Sequence, residues 1–550
     1  MSASSKKKLR KEQSAEKLTQ KQLAAQKEAS TTRLYTAAFA AVLVLLLVIA
    51  IFVGVSQTIK NTGYHEKHTT AMQVGEHTIS NAELNYFFVD AVNSFYSNYG
   101  SYASMFGLQT SIPLDQQVID EDTGRTWADD FLDTAKENAK DTYTVADAAV
   151  AAGFTLPEDQ AAEIDSTLSS LEAYATLYGY SDGEAYLKAL YGRGATVEGY
   201  RAYNELNALA SAYYNDYADS LTYTDEALRA KDSENPAAYS SYSYNYYYLA
   251  TSKFLTGGTT DADGNTTYTD EERAAAEAAV KAAAESLTVK EIDSVEALDA
   301  AIADLAVNAD SEASSTESKN VLYSSVNSLF QQWVADSSRK EGDRKVFEST
   351  STNTAEDGTT SETLNGCYVV YYVGSTDNEF PMVNVRHILI QPTHASDEAE
   401  DAHADGETYS AEELAAAKKT AEDILAQWQS GEATEESFAA LANENSADGD
   451  GTTGGLYENV YPGQMVSAFN DWCFDSSRKS GDTGIVETNY GFHVMYFVGN
   501  TDLTYRDYQI QSELRSTDLE NWHTGLLEAA TVTDGDTSYI STDLVLSSGN

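Results

Sequence analysis

A tryptophan and the polar stretch behind it occur twice in this chain. Trp333 is followed by Asp336-Ser-Ser-Arg-Lys-Glu-Gly-Asp343, and Trp472 by Asp475-Ser-Ser-Arg-Lys-Ser-Gly-Asp482, both features 139 residues apart. At the same offset Tyr244–Thr251 (YNYYYLAT) lines up with Val383–Ile390 (VNVRHILI), which pairs His387 with Tyr248. Gly366–Gly374 (GCYVVYYVG) and Gly491–Gly499 (GFHVMYFVG) match at an offset of 125 and pair His493 with Tyr368. The matched order is strand, helix, helix, tryptophan segment, turn and strand. Such a chain is constrained to fold its second half as two copies of one α+β domain, over residues 236–376 and 380–500. In the second copy Val385, Ile388 and Ile390, then Val494, Tyr496 and Val498, supply the apolar strand positions.

The N-terminal region sets a different constraint. Leu34 to Val55 is a run of 22 residues with no charge, long enough to cross a hydrocarbon core as a helix. Residues 1–33 hold nine Lys and Arg against three Glu, and this excess assigns them to the cytoplasmic side. The run is longer than the apolar core of a cleaved signal peptide, and Ser56-Gln57-Thr58-Ile59 is a poor cleavage site. The reading is therefore a basic tail (1–33), a transmembrane helix (34–55) and a polar stalk (56–71), with the bulk of the chain extracytoplasmic. The net charge of the whole is −51. So acidic an exterior repels nucleic acid, and no nucleic-acid partner is expected. Cys367 and Cys473 lie in apolar runs without metal-ligand spacing and read as buried free thiols.

Residues 72–235 read as a helical domain. Ser80 and Glu83 form a capping-box signature. Leu84, Phe87, Phe88, Ala91 and Phe95 then recur at helical spacing. Residues 501–550 read as a C-terminal helix, about 505–530, with Leu514, Leu519, Trp522 and Leu526 on its apolar face, then a strand-like run over Ser538–Leu546. Two acidic low-complexity loops, Thr256–Asp270 and Ala395–Glu407, interrupt the copies and read as solvated.

Chemistry concentrates in the second copy. Its strand Arg386-His387-Ile388-Leu389-Ile390 carries a histidine among core residues. Ser446-Ala447-Asp448, Gly454-Gly455-Leu456 and Pro462-Gly463-Gln464-Met465-Val466-Ser467-Ala468-Phe469 follow, with Met465 and Phe469 placed four apart on one helix face. Thr488-Asn489-Tyr490-Gly491-Phe492-His493 ends the series. Together, over residues 380–500, these motifs resemble the parvulin family of peptidyl-prolyl isomerases. The resemblance implies that His387 and His493 are the paired histidines of the site, Asp448 its Cys/Asp position, and Thr488 the hydroxyl bonded to the pair. It further implies that Gln464, Met465 and Phe469 line the proline pocket, with Phe492 adding to it.

The composition suits that reaction. Rotation about an X–Pro amide meets a barrier of roughly 18–20 kcal/mol because resonance is broken. No covalent bond is made, so neither cofactor nor metal is expected. An apolar pocket and a polar group near the twisting amide suffice. The first copy keeps Phe330 opposite Phe469 but has Val326 opposite Met465 and tyrosines opposite both histidines. It reads as a parvulin-like domain without isomerase activity. The domain order resembles the SurA- and PrsA-like extracytoplasmic foldases, and MQVGEHTISNAELNYF resembles the opening of their chaperone domain. The resemblance implies unfolded secreted polypeptides with X–Pro bonds as partners. The alternative is a non-catalytic, membrane-tethered holdase that binds extended chains. The oligomeric state is not legible in the sequence.

Overall fold

The computed structural model describes residues 4–11, 62–262, 264–289, 291–309, 311–354, 358–393, 409–449 and 451–542. The apolar run 34–55 and the acidic insert 395–407 lie outside them. Among the described residues no helix is long and apolar enough to cross a membrane. Contacts divide the chain into two compact units, residues 1–221 with 517–550 and residues 222–516.

The first unit is mostly helical. Regular structure reaches into the expected stalk, with a helix at Tyr64–His68 and a strand at Thr70–Val74. The strand is anchored by Ala71 and Met72, both fully buried against Leu84, Phe87 and Phe88. The capping box is present: the Glu83 amide donates to Ser80 Oγ at 3.2 Å, and the Ser80 amide donates to Glu83 Oε2 at 2.7 Å. It opens the helix Asn81–Tyr99, whose apolar stripe packs on the helix Trp127–Ala152. Helices Glu158–Leu177, Gly183–Tyr191 and Val197–Ser220 complete the unit. Among the described residues the last strand is Val532–Asp534, which pairs antiparallel with Thr70–Val74, and residues 543–546 of the expected run Ser538–Leu546 lie outside them. Ser538–Ser541 instead forms turn and loop.

The second unit begins at Thr222 rather than after residue 235. The helix Asp225–Glu234 belongs to it because Leu228 packs on Tyr239 and Ile510. The unit holds two four-stranded antiparallel sheets of the same order, second-first-fourth-third within each copy. In the first copy the strands are Ser241–Ala250, Thr316–Leu322, Arg344–Thr354 and Thr360–Thr376. In the second they are Pro381–Ile390, Leu456–Val460, Thr483–Thr488 and Gly491–Thr504. Two helices separate the first and second strands of each copy, Asp270–Ser286 and Val295–Ala303, then Ala411–Ser430 and Glu435–Asn445. The acidic loop before Asp270 is partly ordered, with a small hairpin between Thr259–Thr260 and Thr266–Thr267.

The repeated polar motif has a local cause. Asp475 accepts from the Ser477 amide at 2.9 Å, the Lys479 amide donates to Asp482 at 2.8 Å, and the Arg478 guanidinium lies 3.9 Å from the centre of Trp472. In the first copy Asp336 accepts from the Ser338 amide at 2.8 Å, Lys340 donates to Asp343 at 3.0 Å, and Arg339 lies 5.2 Å from Trp333. One turn, capped by two aspartates and covered by a cation–π stack, leads into the third strand of each sheet.

In the second copy the two faces of the sheet differ. Ile388, Ile390, Phe492, Val494 and Tyr496 pack under the two long helices with Trp428 and Phe438. Val383, Val385, Met495 and Phe497 point the other way, toward the short helix Ser467–Cys473. Cys367 and Cys473 are both free and buried.

Candidate active site

The second face of that sheet carries the histidines. His387 and His493 stand on the first and fourth strands and are buried, 2% and 5% exposed. Their Nδ1 atoms lie 3.1 Å apart. His387 Nε2 lies 3.1 Å from Asp448 Oδ2, and His493 Nε2 lies 2.9 Å from Thr488 Oγ1. Phe469 stands nearly perpendicular to both imidazoles, each centroid at 5.4 Å.

Proton roles follow from the ends of this row. An ionised carboxylate only accepts, so His387 must hold its proton on Nε2 and accept at Nδ1. His493 then donates from Nδ1 and accepts at Nε2 from the Thr488 hydroxyl. All four ring nitrogens are used, and both rings stay neutral. Burial lowers the His387 pKa, partly opposed by Asp448. Burial and then the neighbouring His387 bring His493 down to about 4, partly opposed by Asp448. A neutral, hydrogen-bonded pair is thus the favoured state at neutral pH.

Local structure holds Asp448 in place. The Leu389 amide donates to Ser446 Oγ at 3.1 Å, and the Ala447 amide donates to the Leu389 carbonyl at 2.9 Å. The loop after the helix Glu435–Asn445 is thereby stitched to the His387 strand. Opposite it, the His387 amide donates to the Gly455 carbonyl at 2.9 Å. Gly454 and Gly455 both lie in the left-handed region (φ 64° and 65°). A Cβ on Gly455 would sit 2.1 Å from the His387 carbonyl oxygen, so only glycine fits.

The pocket residues divide. Phe469 is buried and Met465 half-buried in one cluster with Val460, Cys473 and Met495. They do not share a helix face, however, because the helix starts at Ser467. Met465 lies in the preceding turn, where the Gly463 amide donates to Asn470 Oδ1 at 2.7 Å. Gln464 is exposed, and its Oε1 accepts from the Tyr461 amide at 3.1 Å. Phe492 does not join the site. It neighbours His493 along a strand, so it faces the long helices on the opposite side of the sheet.

This is the arrangement against which the comparisons with known proteins stand. Residues 368–500 match the family model of the PPIC-type PPIASE domain. The second copy is a PPIC-type domain. Foldase protein PrsA 1 of Listeria innocua is 31% identical over 123 residues, 22% of this chain and 32% of the relative. Foldase protein PrsA 1 of Listeria monocytogenes serotype 4b is 30% identical over 123 residues, with the same shares. The chain thus spans about a third of the length of the curated relatives it matches. The solved structure of the peptidylprolyl isomerase PrsA from Bacillus cereus is 24% identical, covering 30% of this chain and 57% of its own, with a TM-score of 0.17.

The first copy has the same sheet order with other residues at the matching positions. Gapless alignment pairs His387 with Tyr248, but the sheets pair differently. His493 lies opposite Leu389, whereas its counterpart Tyr368 lies opposite Tyr248. The spatial equivalent of His387 is therefore Tyr246, two residues earlier. Tyr246, Tyr368 and Phe330 form the matching triad, with ring centroids 5.8–6.4 Å apart. Three packed rings replace the polar row.

One residue in the PPIC-type site escaped the sequence reading. The Tyr457 hydroxyl donates to Asp448 Oδ2 at 2.7 Å. Burial first, then the bond to Asp448, push its phenol up to about 12. Strand alternation after Gly454-Gly455-Leu456 carries it to the histidine face, opposite Val385, and that alternation was the signal available in the sequence.

Proposed function

We propose that this chain is a membrane-anchored extracytoplasmic foldase whose PPIC-type domain catalyses cis–trans isomerisation of X–Pro bonds in unfolded secreted polypeptides. The helical first unit acts as the chaperone that receives them. The observation that carries this reading is the hydrogen-bonded row Thr488–His493–His387–Asp448, two neutral imidazoles ending on a carboxylate and packed against Phe469. Met465 and Phe469 grip the proline ring. Planar amide resonance puts negative charge on the carbonyl oxygen, and twisting returns it to nitrogen. A carboxylate beside that oxygen disfavours the planar amide more than the twisted one and so lowers the barrier. The histidines are not proton carriers in this scheme; they hold the carboxylate and keep the floor neutral. Gln464 guards the rim, and Phe492 supports the strand from behind. The run 34–55 is the anchor, with the basic tail in the cytoplasm and the catalytic domain outside. The first copy, with rings in place of the polar row, does not isomerise.

The test is isomerisation of proline-containing tetrapeptides by the full-length chain in detergent, followed by a protease-coupled assay, beside Asp448→Ala and Met465→Ala. The wild type is expected to exceed the thermal rate, and both variants to lose most of the gain. A wild type at the thermal rate leaves a tethered holdase as the better reading.

A further inference from the structure

Tyr457 follows the double-glycine turn and reaches the same carboxylate as His387. Its hydroxyl and His387 Nε2 converge on one atom, Asp448 Oδ2, at 2.7 and 3.1 Å. Its ring lies 4.8 Å from the His387 imidazole and 6.4 Å from Phe469, so it also closes the apolar wall. The Asp448 side chain is 39% exposed. Its backbone is tethered through Ser446 and Ala447, but a half-exposed carboxylate turns freely about its last torsion unless its oxygens are held. Two donors on one oxygen stop that rotation. They commit Oδ2 to the protein and leave Oδ1 for a bound chain.

We propose that Tyr457 is a positioning residue for isomerisation: by fixing Asp448 Oδ2 it keeps His387 in its Nε2–H form and presents Oδ1 to the X–Pro amide. This rests on the isomerase reading above. The first copy is consistent with it, since Ser318 occupies the place of Tyr457 in the matching strand pair, opposite Tyr244 as Tyr457 is opposite Val385. There the phenol is missing together with the histidines, and the Ser318 hydroxyl bonds Tyr244 instead.

The experiment uses the full-length chain in detergent. Tyr457→Phe keeps the ring and removes only the donor. Because a hydrogen bond to an ionised group is among the stronger ones, kcat should fall roughly tenfold while KM changes less than about twofold. Tyr457→Leu, which keeps an apolar wall without a donor, should show the same fall in kcat. In an Asp448→Ala background Tyr457→Phe should have almost no further effect, since the two act as one unit. The 15N signals of the His387 and His493 rings, in the tautomers derived above, should broaden or move in Tyr457→Phe. A Tyr457→Phe enzyme with wild-type kcat and unchanged ring signals overturns the inference, as does an equal loss in both backgrounds. If the wild type itself is inactive, the isomerase reading fails instead, and the ring signals still decide whether Tyr457 orders the row.

Discussion

Two histidines can share a buried floor here because every nitrogen of the two rings has a partner of the right kind. This makes the domain sensitive to acid. His493 titrates near 4 in the fold, against an ordinary value of 6.5. A depressed histidine pKa means the unfolded chain binds the extra proton first. Its stabilising contribution is complete above about pH 6.5 and is lost as pH falls toward 4. The shift corresponds to roughly 3 kcal/mol. His387 moves in the same direction, and Asp448 opposes both shifts. Urea midpoints measured between pH 7 and pH 4.5 should fall more steeply for the wild type than for His493→Asn. Equal slopes would mean that the pair does not carry the acid response. The identities of His387, Asp448, Thr488 and His493 were readable as a motif. Their tautomers were not, because these depend on which partner each ring nitrogen meets, and the two rings stand 106 residues apart in the chain.

At the scale of elements, turns and register decide what the motifs can reach. Gly455 and Gly449 both have positive φ, 65° and 84°. A Cβ on Gly449 would meet nothing closer than Thr453 Oγ1 at 4.0 Å, whereas one on Gly455 would overlap the His387 carbonyl. Gly449→Ala should therefore cost only the backbone term, about 1 kcal/mol. Gly455→Ala should cost clearly more, because the strand carrying His387 must move; denaturant midpoints of the two variants give the comparison. Register explains where sequence reasoning slipped. Gapless alignment of the copies chose Tyr248, while the sheet places Tyr246 beneath Phe330. A two-residue shift preserves the face of a strand, so the apolar pattern could not reveal it. Phe492 shows the complementary error: one residue from His493, it belongs to the other face. The expected helical pairing of Met465 with Phe469 failed because the Pro462-Gly463 turn delays the helix to Ser467.

At the scale of the molecule, the chain's last residues belong with its first unit. Val532–Asp534 pairs with Thr70–Val74, Gly535 donates to the Ala71 carbonyl at 2.9 Å, and the Ser541 amide donates to Asn85 Oδ1 at 2.8 Å. Within the same unit Trp522 stacks on Tyr217, centroids 4.1 Å apart. Truncation after Ala530 should expose the edge of the Thr70–Val74 strand and leave Asn85 without the Ser541 amide. Proteolysis of the first unit should then accelerate while the X–Pro isomerisation proposed for the second persists. Parallel loss of both would show that the units do not fold separately. The repeat, the capping box and the α+β class were determined by local sequence, because period and turn chemistry act over a few residues, and the residues of the polar row were named by the resemblance to the parvulin family. Tertiary structure alone decided that the terminal strand closes the first sheet, that Tyr246 replaces His387 in the first copy, and that Tyr457 shares Asp448 with the histidine. Each of these depends on strand register or on the meeting of residues distant in the chain, and no local pattern encodes either.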